Sequence, residues 1–233
     1  ECTSILDNDI DENSRIFISC INLLANLYKF ESKSNEALKL FLKEATLCKR
    51  IYGEKSIRYA RALLDVASFL KAYEAYEMQH KALEIIKGES YFIDSNNYFL
   101  TLINIVNDIS SFTKILKKIK QDDWAMAINK EVLIEIQQAI DVIKQLFGND
   151  HSLLFYARES LSNIYENMSQ FKESVSVAKE NLKYAKSNFG ISSQYYKNAL
   201  FDLFLRCSHA KISNEAIKYG EEWLAINTKF GDN

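Results

Sequence analysis

The residues of this 233-residue chain that could do chemistry are few and dispersed. His80, His151 and His209 are the candidates for acid/base work or metal ligation. No H-x-x-x-H or H-x-x-E spacing joins them, and that spacing is what sets two ligands on one helix face. Cys2, Cys20, Cys48 and Cys207 form no C-x-x-C pair and have no partner histidine, so they read as reduced, buried thiols of a cytosolic protein. There is no G-x-S-x-G, no P-loop and no G-x-G-x-x-G, and 6 dispersed glycines cannot build a phosphate cradle. Catalysis, a metal and a cofactor are therefore not expected. Lys114, Lys117, Lys118 and Lys120 could form a basic tip that docks an acidic partner. The competing reading makes them the solvated face of a helix whose other side is Ile115, Leu116 and Ile119.

The elements that must position these residues are read from composition and repetition. The chain has 6 glycines and no proline, which excludes a sandwich or barrel with many tight turns. It is 48% hydrophobic, 12% aromatic and 26% charged, enough apolar material for a sizeable core. A net charge of -2 does not suit a partner that is nucleic acid or an anionic membrane. No apolar run approaches the ~20 residues of a bilayer span. The first residue is Glu1, so the chain is read as an excerpt of a longer protein.

Internal repetition is clear. Ile51-Tyr52-Gly53, Gly88 with Tyr91, Phe147-Gly148, Phe189-Gly190 and Phe230-Gly231 punctuate the chain. Gly148 to Gly190 is 42 residues and Gly190 to Gly231 is 41. Glu36, Glu131 and Glu173 each precede their glycine by 17 residues, and Glu215 precedes Gly231 by 16. Between the marks apolar residues recur at helical spacing on either side of a short polar break, which gives two helices per repeat. Such a hairpin cannot cover its own apolar face, so the fold expected is an all-α solenoid of about five stacked antiparallel helix pairs. The approximate repeats are 14–53, 56–91, 95–148, 151–190 and 192–231. Glu131 arrives about 14 residues late, close to four turns at ~3.6 residues each. The third pair is therefore expected to be an extended hairpin over about 109–124, turning near Lys120–Asp123.

Ile21-Asn22-Leu23-Leu24-Ala25-Asn26-Leu27-Tyr28, followed by Asn35-Glu36-Ala37-Leu38, resembles the tetratricopeptide repeat (TPR). Ala139-Ile140-Asp141-Val142 with Phe147-Gly148-Asn149-Asp150-His151-Ser152 is similar to the roughly 42-residue repeats of kinesin light chains. Ser152 stands where that family usually has proline. The resemblance spans roughly residues 14–233 and implies a right-handed superhelix. It also implies a concave groove in which asparagines hold the main chain of an extended peptide, since Asn offers a donor and an acceptor on one short side chain. The matching positions hold Asn22, Asn26, Asp65, Asn104, Asn107 and Asn163; Leu23, Leu64, Ile103 and Phe201 are apolar where a polar residue is expected. An AT-rich coding genome would also supply asparagines. The function expected is a protein-interaction scaffold with a peptide or helix partner. The alternatives are a regulatory or sensor domain of a larger enzyme and a permanent structural subunit of a large assembly, a cytoskeletal one included. The expected setting is cytoplasmic, without membrane insertion.

Overall fold

The computed structural model describes residues 12–88 and 95–228, and these form ten α-helices in five consecutive pairs, with no strand. The pairs are α1 Glu12–Phe30 with α2 Ser34–Tyr52, α3 Ile57–Ala67 with α4 Ala72–Lys87, and α5 Ser95–Lys118 with α6 Asp122–Phe147. They continue with α7 Leu153–Asn167 and α8 Phe171–Phe189, then α9 Gln194–His209 and α10 Ser213–Thr228. Cys2, the segment at Tyr91 and the Phe230-Gly231 mark lie outside the described residues. Packing divides the chain into two compact units, residues 1–108 and 109–233, and the division falls within α5.

A proline-free chain needs other ways to stop its helices. Ser32, Lys120, Ser169 and Lys211 all have φ near +60°, the left-handed conformation that ends a helix. At each, the next amide reaches back five residues: Lys33 to the Tyr28 carbonyl, Gln121 to Leu116, Gln170 to Tyr165 and Ile212 to Cys207, at 2.8–2.9 Å. These are four copies of the Schellman turn, made without glycine at a cost of about 1 kcal/mol each. The junctions after α2, α6 and α8 use a different device. Gly148 sits at φ 81° and ψ 179°, a region essentially closed to side chains, and Gly53 and Gly190 do likewise.

In unit 1, α1, α2, α3 and α4 pack in sequence around Phe41, Leu63, Val66, Leu83 and Ile86. Ala25 and Ala37 are fully buried and let α1 and α2 approach closely. In unit 2 the residues at the same register are Ser162 and Ser174, whose hydroxyls each donate to the other's carbonyl at 3.0 Å, so the small contact survives as a polar one. A further buried polar seam joins Thr113, Asn129, Ser110 and Asn167, with the Asn167 amide donating to the Ser110 hydroxyl at 2.7 Å. Its donors find partners, which is the condition for burying them.

Four expectations need correction. Helix α5 is long and apolar enough to cross a bilayer, although no run in the sequence was read as approaching that length. Most of it is buried, however, by Phe99, Leu102 and Val106 in unit 1 and Ile109, Phe112 and Leu116 in unit 2, as in the core helix of a globular protein. Ile115 and Ile119 are 43% and 61% exposed and lie on the solvent side with Lys114, Lys118 and Lys120. Only Leu116 of the three apolar residues points inward, because the ~100° step per residue puts 115 and 119 on the far flank. Ile103 is a core residue, 1% exposed, rather than a groove position. Cys20 is exposed, while Cys48 and Cys207 are buried.

Candidate functional site

The expected groove residues divide between the units. In unit 1, α1, α3 and α5 carry Asn22, Asp65, Asn104 and Asn107, and two adjoining hollows of about 370 and 350 Å³ lie along these helices. Arg61 and Asp65 of α3 border both hollows. The first hollow brings Asn22 together with Glu44 of α2 and Asp65. The second brings Asp65 together with Asn104, Asn107, Ser68 and Asp108. Asn26 turns away: its amide donates to the Asn22 carbonyl at 2.9 Å and to the Asn22 Oδ1 at 3.0 Å.

The centre of the first hollow is a single amide between two carboxylates. Asn22 Nδ2 donates to Glu44 Oε1 and Oε2 at 3.1 and 2.9 Å, and to Asp65 Oδ2 at 3.4 Å. Glu44 is only 7% exposed, and burial pushes its carboxyl above the usual range. Burial does the same to Asp65, against the lowering pull of Lys29 and Arg61. Among the described residues neither carboxylate has an ion pair. The nearby cations are occupied elsewhere or stand in solvent. Arg58 lies over the Tyr52 ring at 4.7 Å, Lys29 donates to Ser68 Oγ at 3.2 Å, and Arg61 is exposed. Cys48 on the wall is also driven by burial to a pKa of about 11, so it is no nucleophile at neutral pH.

In unit 2, Asn163 has another task. Its Oδ1 accepts from Arg206 Nη2 at 2.6 Å, while Arg206 also pairs with Asp202 at 2.8 Å and with Glu166. The Arg206 side chain is 6% exposed and its guanidinium is fully engaged. His209 of the same helix contacts the other Glu166 oxygen. His151, at a junction, stacks on Phe147 with centroids 4.4 Å apart, and its Nδ1 accepts from the Leu153 amide at 3.3 Å. It is a capping and packing residue. The lysines at 114, 118 and 120 are exposed and Lys117 is half-buried, around the turn between α5 and α6.

Glu44, Arg58, Arg61 and Arg206 are the polar residues that sequence reasoning missed. For Glu44 a signal existed. It lies on the same helical face as Phe41, Ala45 and Cys48, all buried, so a carboxylate there had to meet a donor.

The fold defined by these helix pairs is that of TPR-like repeat proteins. No protein-family model matches the chain, and no curated protein does. Among solved structures it is similar to the nearly identical TPR-like repeats of a kinesin light chain from Podosopora anserina, at TM-score 0.69 and 14% identity, covering 96% of this chain and all of that one. It is also similar to BtubC (BKLC) from P. vanneervenii, at TM-score 0.68 and 13% identity, covering 99% and 87% of the two chains. The apo form of RapI matches at TM-score 0.61 and 12% identity, with 90% of this chain covering 53% of that one.

Proposed function

We propose that the chain is a protein-interaction scaffold whose unit 1 trough, along α1, α3 and α5, binds an extended segment of a partner protein. The observation that carries this reading is the pair of adjoining hollows bordered by Asn22, Asp65, Asn104 and Asn107. An extended peptide brings a donor and an acceptor at every residue, and short amides on successive helices can satisfy both. The TPR-like fold supports the reading, since stacked helix pairs give an extended surface for a partner. Unit 2 is assigned no peptide contact through Asn163, because it is tied into the nearly buried ion-pair network of Arg206 with Asp202 and Glu166.

The test is affinity purification of the full-length protein with quantitative mass spectrometry, comparing wild type with the N22A/N104A/N107A variant. Loss of the wild-type partners by about tenfold or more, roughly 1.4 kcal/mol, with an unchanged circular-dichroism spectrum is the expected result. An identical partner profile overturns the proposal.

A further inference from the structure

Repeats four and five repeat the first pair and the helix after it at a constant offset of 137 residues, and the two copies treat the same space in opposite ways. The offset takes the helix-capping Ser56 to Ser193, whose hydroxyls accept from Tyr59 and Tyr196 amides at 3.2 and 3.1 Å. It takes Gly53 to Gly190 and Leu63 to Leu200, and Ala25 and Ala37 to the paired serines. By the same offset Ser19 becomes Tyr156 and Arg58 becomes Tyr195. In unit 2 those tyrosines meet hydroxyl to hydroxyl at 3.2 Å, with Phe155 edge-on to Tyr195 at 5.2 Å. Rings fill in unit 2 the positions that border the 370 Å³ hollow in unit 1. Asp65 becomes Asp202. Four residues after Asp202 stands Arg206, which neutralises it; four residues after Asp65 stands Phe69, which cannot.

We propose that the unit 1 hollow is a receptor for one cationic side chain, an arginine or lysine, of the extended partner segment. Glu44 and Asp65 are its counter-ions and Asn22 its orienting amide. This deepens the peptide-binding reading and rests on it. Unit 2 shows the chemistry in place: a guanidinium held by carboxylates and by an asparagine oxygen. The register differs, since Asn163 and Glu166 correspond to Asn26 and Lys29, but the pairing is of the same kind: the incoming cation would displace the Asn22 amide from the carboxylates, and Asn22 would stay held through its Oδ1 by the Asn26 amide. Glu44 is buried and Asp65 half-buried, and the neutral Asn22 amide is the side-chain donor to both, so a matched cation supplies an ion pair that the free protein lacks. Arg58 and Arg61 on the rim favour a partner in which the basic residue is isolated rather than part of a basic run, because neighbouring cations would meet like charge.

The probe is a random linear peptide library displayed on phage and panned against the whole chain. The expected result is a peptide set with Arg or Lys at one fixed position. The affinity of a selected peptide is expected to fall about tenfold or more with E44Q or D65N, and equally when its basic residue becomes citrulline or norleucine. S19Y, which narrows the hollow without removing a charge, should give the same loss, and thermal melts of all three variants confirm that they fold. Peptides that bind through Asn104 and Asn107 but show no basic position, or that ignore E44Q and D65N, overturn the cation receptor and leave the trough standing. Recovery of no peptide, or of peptides indifferent to N104A/N107A, overturns the trough and the receptor together.

Discussion

Repeats one and two and repeats four and five are built on one register, yet the second copy is closed and the first is open. In unit 2 the polar residues of the first helices are spent internally: Arg206 joins Asp202, Glu166 and Asn163 on two helices, and Phe155, Tyr156, Tyr195 and Phe189 pack ring to ring on one another. In unit 1 the same register holds Asp65, Lys29, Asn26 and Phe69, then Ile18, Ser19, Arg58 and Tyr52. The helices still pack, because the residues between α1, α2 and α3 stay small or apolar. What changes is the surface along the first helices. A repeat scaffold can therefore alter its binding face almost independently of its stacking. Charge complementarity kept within the chain rigidifies; left incomplete, it is available to a partner.

The largest effect that would sharpen this contrast is expected from Arg206→Met. The guanidinium is nearly buried among Glu166, Asp202 and Asn163, and its removal leaves two partly buried carboxylates without their cation. A loss of about 3 kcal/mol is expected in urea unfolding, as for one partner of a buried ion pair. Adding D202N should restore part of it, since one stranded charge disappears. A cost under about 1 kcal/mol would mean that unit 2 is not held by this network, and the contrast would fail.

How much of this was legible in the sequence depends on range. The all-α repeat could be read because glycine at 53, 148 and 190 is required by a backbone region other residues avoid, and it leaves a periodic trace. The turns at Ser32, Lys120, Ser169 and Lys211 use the same sense of φ but ordinary residues, so only their polar neighbourhood was visible. Asn22 and Asn163 looked alike as sequence, four positions from a matching register. Their chemistry separated only when Glu44 on the next helix and Arg206 on the next repeat were brought against them. Such contacts join residues 22 and 43 positions apart, and no local pattern encodes them. Cys20, Ile115 and Ile119 misled for the opposite reason: apolar type was taken for burial, although folded surfaces remain largely apolar by area.

Transplanting the closed copy onto the open one is expected to have a moderate effect. S19Y/R58Y introduces the counterparts of Tyr156 and Tyr195, and a ring at 58 can stack on Tyr52 as Tyr195 stacks on Phe189 at 4.1 Å. Filling the 370 Å³ hollow should raise stability by about 1 kcal/mol while abolishing peptide capture. Differential scanning calorimetry gives the first and fluorescence anisotropy with a selected peptide the second. Lower stability would show that the two copies, though in register, do not share the same space.

The smallest effect is one of sign. Burial raises the Glu44 carboxyl above its unfolded value, with Asp65 adding repulsion and Asn22 and Arg61 opposing. Between the unfolded and folded values the native chain holds the proton more tightly, so stability falls as pH rises through that window, and the full penalty remains above it. Glu44→Gln removes the penalty and keeps an oxygen for the Asn22 amide, while its own amide can donate towards Asp65. The variant should therefore be more stable than wild type at neutral pH, by up to about 1 kcal/mol. The gain should shrink to nothing as pH falls through the raised value into the ordinary carboxylate range. Asp202→Asn in unit 2 should act in the opposite direction at neutral pH, because it takes from Arg206 a partner already bound. Urea titrations of both variants between pH 4 and pH 7 check the pair. Destabilisation by both substitutions would mean that Glu44 and Asp65 are as well compensated as Asp202, and that the open copy has no charge left for a partner.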